Sequence, residues 1–321
     1  MIRAMLSSLV LVALLTGCDA GAPVSRPDAT VPTPTWAPAP SASPAGSVVP
    51  VGGPPSAVAT GPSGTAVALP AALLLLDTAG AQVASVPVTE PVRSVVALPG
   101  GGFRAVSGST VLTVGDSGVT TRWALPAAGG ALVVHPDGWT AVAVPSLGNV
   151  IILSATGAVT RTLDVGGAPG GLAVTGDLLA VLDPAETSLT VYDATSGARK
   201  EGLRAGDGAT TVTTGGAGRF VAVDARDGEL LVFETGPLVL RQRHPVPGTP
   251  YAAAFDPTRN TLWVTITQRN EVVGYNLAGG APREVARHPT PRLPIAVAVD
   301  ATTGTLVVAG SAEGLVQRIS P

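Results

Sequence analysis

Residues Gly129 to Gly167 read GGALVVHPDGWTAVAVPSLGNVIILSATGAVTRTLDVGG. Four runs of strand-forming residues stand out in it: Ala131–Val134, Thr140–Val144, Val150–Leu153 and Val159–Val165. The connecting segments are His135-Pro136-Asp137-Gly138, Pro145-Ser146-Leu147-Gly148-Asn149 and Ser154-Ala155-Thr156-Gly157. Their Pro, Gly, Asn, Asp and Ser residues favour a reversal of chain direction. The first three runs are almost wholly apolar, as in strands packed on both faces, while Val159–Val165 alternates, as in a strand with one wet face. The stretch therefore predicts one four-stranded antiparallel meander.

The same pattern recurs along the chain. The central residues of successive first strands are Val58, Val96, Val133, Ala173, Val212, Ala253 and Val297, spaced by 37 to 44 residues. That interval is the period of β-propeller blades and differs from those of helical or leucine-rich repeats. The prediction is an all-β fold: a seven-bladed β-propeller over residues 48–321. Small residues such as Ala173 and Ala253 suit first strands that converge on a central axis. The seventh blade is one strand short. Pro294–Val299, Leu306–Gly310 and Gly314–Arg318 supply three strands before the chain stops at Pro321. Val48-Val49-Pro50-Val51, just before the first blade, is expected to pair with Gly314–Ile319 and close the ring, removing two sheet edges. Pro50 is tolerable in an outermost strand.

The chain has 321 residues, 45% of them hydrophobic, 13% charged and 3% aromatic, with a net charge of −3. The core is thus built from Val, Leu and Ala, and nothing in the charge balance draws the protein to nucleic acid. Met1-Ile2-Arg3 is a minimal positive start, and the apolar run Ala4–Leu15 is too short to span a bilayer as a helix. It ends in Leu15-Thr16-Gly17-Cys18, which resembles the lipobox of bacterial lipoproteins. The resemblance implies a signal peptide over residues 1–17 and a diacylglycerol-modified Cys18 at the mature N-terminus. The membrane is then a partner through the lipid anchor, on the extracytoplasmic face of the cell membrane. Cys18 is the sole cysteine, so no disulfide contributes to the fold. Residues 18–47 are rich in Pro, Ala, Ser and Thr, a composition that cannot bury enough apolar surface to order itself. They are expected to form an extended, semi-stiff tether with Trp36 as an incidental aromatic.

Val51-Gly52-Gly53-Pro54-Pro55, Val165-Gly166-Gly167-Ala168-Pro169, Val246-Pro247-Gly248-Thr249-Pro250 and Asp193-Ala194-Thr195-Ser196-Gly197 resemble the turns of YVTN-type propeller repeats. The tetrapeptide that names that family is absent. The resemblance implies an exported or surface propeller, related in shape to NHL and quinoprotein-like propellers, and its motifs carry no catalytic residues.

No catalytic constellation emerges. His135 lies in a turn, and His244 and His288 fall on outer strands, so the three do not converge. The tryptophan-docking pattern of quinone-dependent propellers is missing after Asp193–Gly197 and Asp300–Gly304, and Trp123, Trp139 and Trp263 read as packing residues. The glycine-rich stretches precede no helix that would hold a phosphate. No cofactor and no metal ligand set is expected. Charge concentrates instead in the upper loops, which join second to third strands and each blade to the next. Among these, Asp183, Asp207, Asp224, Tyr251, Arg269 and Asn270, on blades 4 to 6, form the expected binding site. Their carboxylates suit a cation, an amine or an Arg-rich segment, and Tyr251 offers an aromatic wall. The function expected from sequence is a ligand- or protein-binding scaffold whose partner is an unknown protein or small polar ligand. The alternative is a metal-assisted hydrolase or lyase using carboxylates at the channel.

Overall fold

The structure, a computed structural model, describes residues 30–40, 42–116, 118–216 and 218–320. Cys18, the signal peptide and the start of the tether lie outside the described residues. Seven four-stranded antiparallel sheets are present, and six of them run through four sequence-adjacent strands from the axis outward. The first strands are Ala57–Gly61, Val92–Ala97, Leu132–Val134, Gly171–Thr175, Ala209–Thr214, Pro250–Asp256 and Pro294–Val299, each containing its predicted central residue. The protein is a seven-bladed β-propeller. No described helix is long and apolar enough to cross a membrane.

The seventh sheet closes the ring as expected. Ser47–Pro50 pairs antiparallel with Leu315–Ile319, in the register Ser47 opposite Arg318 through Pro50 opposite Leu315. The replacement is faithful in detail. In blades 3 to 6 the upper loop after the second strand ends in a left-handed residue, Gly148, Thr187, Gly228 or Asn270. Its carbonyl accepts the N–H of a residue just beyond the fourth strand: Val165, Ala205, Val246 or Thr290, at 2.7–3.0 Å. In blade 7 the corresponding left-handed residue is Gly314, and its carbonyl accepts from Val51 at 2.9 Å. The N-terminal strand thus occupies the fourth-strand position.

The core lies between blades. Seven apolar clusters each join two neighbouring sheets. One links Leu182, Leu189 and Ala173 of blade 4 to Phe220 and Phe233 of blade 5, and another links Val58 and Val67 of blade 1 to Val307 and Val316 of blade 7. Second strands such as Thr140–Val144 are buried at every residue, because both faces of each sheet meet a neighbour. Outer strands such as Val159–Asp164 are mostly exposed.

The three histidines remain apart. His135 stacks on Trp139 at 4.6 Å, and its Nδ1 accepts the backbone N–H of Asp137 at 3.1 Å. His244 packs edge-on against Tyr275 and His288 lies against Trp263. Burial pushes both of these imidazoles below the ordinary 6.5. A histidine depressed in the folded state binds fewer protons than its unfolded counterpart. Its stabilising contribution is therefore complete above 6.5 and is lost as the pH falls from there toward the lower folded value. Carboxylates depressed by partners, such as Glu284 beside Arg287, lose theirs only at more acidic pH. The thermal midpoint should therefore drop between pH 7 and 5, and replacing His244 and His288 together by Phe should flatten that limb of a melting-against-pH series.

Candidate functional site

Asp183 and Asp224 end the second strands of blades 4 and 5 (Leu178–Asp183 and Arg219–Asp224). Both side chains turn inward and are buried. Asp224 is fully buried. Its Oδ1 accepts the backbone N–H groups of Arg226 and Asp227, both at 3.0 Å, and its Oδ2 accepts that of Asp207 at 2.7 Å. Asp183 repeats the arrangement with Ala185, Glu186 and Ala168, at 2.9, 3.0 and 2.6 Å. Each carboxylate staples its own loop to the loop arriving from the preceding blade. The arriving loop must pass close: Gly167 and Gly206 have φ of +56° and +73°, and a Cβ on either would stand 2.0 or 1.9 Å from the carboxylate oxygen. The sequence expected these two acids to face a cationic ligand; in the structure each carboxylate is taken up by the backbone amides it covers, as buried carboxylates commonly are.

Asp207, Asp227 and Glu229 are also partnered. Arg204 and Arg226 bracket Asp207, with nitrogen–oxygen distances of 3.1 and 3.3 Å. Asp224, Asp227 and Glu229 can bring one oxygen each within 4.8 Å of one another. Arg243, however, makes a forked contact with Glu229 and approaches Asp227 at 3.6 Å. Partial burial, then repulsion from Asp224, Glu229 and Asp207, raises the Asp227 carboxyl above its ordinary range, while Arg243 opposes the rise. A divalent ion here would have to displace the Arg243 guanidinium and compete with the amides on Asp224.

Tyr251 stands at the start of the first strand of blade 6, where burial raises its phenol above the usual value. Its carbonyl accepts the hydroxyls of Thr210 and Thr211 at 2.8 and 3.0 Å. Arg269 is exposed and folds back beside the Gly248 turn. Asn270 is 2% exposed and sits in the left-handed region, which Asn tolerates better than most residues. Its Oδ1 accepts the N–H of Leu293 at 3.0 Å.

The outward-facing amide of Asn270 reveals what the upper face holds. Its Nδ2 donates to the carbonyl of Pro38 at 2.9 Å. Arg292, in the loop from blade 6 to blade 7, donates through Nη2 to the carbonyl of Ala37 at 2.9 Å, with its guanidinium 5.6 Å from the centre of the Trp36 ring. Arg226, on blade 5, donates to the carbonyl of Thr30. The Thr35 N–H reaches Thr267 Oγ1, and the Thr35 hydroxyl lies 3.3 Å from that of Thr249. Residues 30–40 and 42–46 therefore cross the upper face from blade 5 to blade 7 before entering the closing strand. The stretch expected to act only as a spacer overlaps, at blades 5 and 6, the surface expected to bind a partner. Arg226 and Arg292 are recognisable in the sequence as upper-loop charges, but only the path of this segment distinguishes them from their neighbours.

The fold is shared with proteins of very different sequence. The chain is similar to a structure of Kuenenia stuttgartiensis hydrazine synthase at 14% identity and TM-score 0.70, with 85% of this chain and 97% of that one covered. It is similar to a chain of the mitotic checkpoint complex at 15% identity and TM-score 0.75, with 98% and 99% covered. It is also similar to the Cps50 (Swd1) β-propeller domain of Myceliophteria thermophila at 13% identity and TM-score 0.70, with 85% and 99% covered. No protein-family model matches the chain, and no curated protein matches it in sequence.

Proposed function

We propose that this protein is a lipid-anchored, extracytoplasmic propeller of the YVTN type that acts as a protein-binding scaffold through the upper face of blades 5 to 7. One observation carries the binding role: side-chain donors from three upper loops hold an extended polypeptide by its carbonyls. The membership of a similar propeller chain in the mitotic checkpoint complex agrees with such a role. The anchor rests on Leu15-Thr16-Gly17-Cys18 following a short apolar run, and the family type on the glycine–proline turns between blades. Two acyl chains give lasting membrane attachment where one would be marginal.

Two experiments test this reading. Metabolic labelling with a fatty-acid probe should mark the wild-type protein and not Cys18→Ala; label retained by the variant would remove the anchor from the proposal. Crosslinking in intact cells followed by pull-down should recover a partner. Its yield should fall severalfold when Asn270→Asp is combined with Arg292→Met, and an unchanged yield would place partner binding elsewhere.

A further inference from the structure

The segment across the upper face has a definite chemistry. Residues 30–46 read TVPTPTWAPAPSASPAG, with five prolines and no charge. An extended polyproline helix makes no internal hydrogen bonds, so its carbonyls point outward unpaired. Its prolines also lack an N–H that would need an acceptor. The upper face matches that inventory: Arg226, Asn270 and Arg292 all offer donors to carbonyls, while Thr267 supplies an acceptor to the amide of Thr35.

The propeller itself fixes the Asn270 amide and the backbone that carries Arg292. Asn270 is fixed by the Leu293 amide and by its own carbonyl, which accepts from Thr290. The backbone of Arg292 is fixed through its N–H to Glu313. The occupant, by contrast, is lightly held. Among the described residues from 30 to 44, only Ala37 is buried, and Trp36 is 64% exposed despite its contact with Arg292. Among the described residues, no backbone-to-backbone hydrogen bond joins residues 30–40 to the propeller, and the first such bond comes from Ala45 to the carbonyl of Pro289. From that point the chain is locked, because Gln317 also donates to the Ala45 carbonyl and Ser47–Pro50 joins the sheet. The segment can therefore lift away from residue 44 backward while the ring stays closed.

We propose that the upper face of blades 5 to 7 is a receptor for an extended, proline-rich segment of another protein, and that residues 30–40 occupy it as a displaceable internal mimic. This rests on the scaffold reading above and specifies its partner. A tethered occupant acts at an effective concentration in the millimolar range, so a partner must bind more tightly than the mimic or present several such segments.

The test uses the full chain. A released variant carries Pro32→Gly, Pro34→Gly, Trp36→Ser, Ala37→Ser and Pro38→Gly together, and the probe is a labelled synthetic peptide of residues 30–40. The released variant should bind the peptide saturably, at least tenfold more tightly than the unaltered protein. Adding Asn270→Asp, which keeps the acceptor for Leu293 but removes the donor to Pro38, should weaken binding about tenfold, as should Arg292→Met. Arg122→Met, on an exposed outer strand of blade 2, should leave it unchanged. A released variant with an unaltered circular-dichroism spectrum that fails to bind the peptide overturns the inference, as does binding that ignores Asn270→Asp and Arg292→Met. Concentration-dependent dimers of the unaltered protein, lost in the released variant, would assign the face to a second copy of this chain and also overturn it. A partner recovered by pull-down that contains no proline-rich segment would leave the scaffold reading standing and remove only this one.

Discussion

Asp224→Ala should destabilise the protein by about 3–5 kcal/mol, lowering its thermal midpoint by roughly 10 °C. The carboxylate is fully buried and accepts three backbone N–H groups: Asp207, Arg226 and Asp227. Truncation leaves all three without a partner, and an unsatisfied amide costs about 1–3 kcal/mol when buried and less where, as at these part-buried groups, water enters the vacated space. Asp224→Asn should cost less, because its remaining oxygen still serves the Arg226 and Asp227 amides. Asp183→Ala should be nearly as damaging, since Asp183 makes the equivalent three bonds at 7% exposure. The two effects should add, because the residues share no hydrogen-bond partner. Denaturant or thermal melts decide the matter. If both acids were ligand-binding groups, either alanine would change stability by no more than about 0.5 kcal/mol, as ordinary surface substitutions do. A result in that range would return them to the binding site.

Deleting Ser47–Pro50 should be at least as costly, at roughly 5 kcal/mol or more and a fall in thermal midpoint of roughly 10 °C or more. The deletion removes the whole antiparallel pairing with Leu315–Ile319 and strains the bond from Val51 to Gly314. What then joins blade 7 to blade 1 is side-chain contact. Val307, Ala309 and Val316 would still pack on Val58 and Val67, and Arg318 would still reach Thr65 Oγ1 at 3.1 Å and the Thr78 carbonyl at 2.6 Å. The newly exposed edge of Leu315–Ile319 would offer unpaired backbone groups to other chains. Concentration-dependent aggregation should therefore accompany the lower midpoint. A deletion variant that melts within about 1 °C of the wild type and stays monomeric would show that the blade interface alone closes the ring.

The architecture was legible from the residues alone. Within blades 1 to 6, the strands that bond to one another are adjacent in the chain and joined by short turns. Local turn chemistry and the switch from continuous to alternating apolar pattern therefore suffice to place them. Counting strands in the last repeat was enough to predict that Val48–Val51 would fill the gap, because an open ring would leave two sheet edges unpaired. Boundaries moved by about a residue: the third strand of blade 7, read as Gly314–Arg318, is Leu315–Ile319. The second strand of blade 6 ends at Ile266, which leaves Thr267 in the loop, where it meets Thr35. The site was legible only as a region. Composition marks the upper loops as charged, but it does not say whether a carboxylate points at a ligand or at a backbone amide. For Asp183 and Asp224 that choice depends on how closely the preceding blade's loop passes overhead, which the packing of neighbouring blades sets. The proline-rich segment is the clearest limit. Its composition states that it cannot fold alone. Its docking depends on contacts with residues about 200 or more positions away, at Arg226, Asn270 and Arg292, and only the closed ring brings those donors to one face.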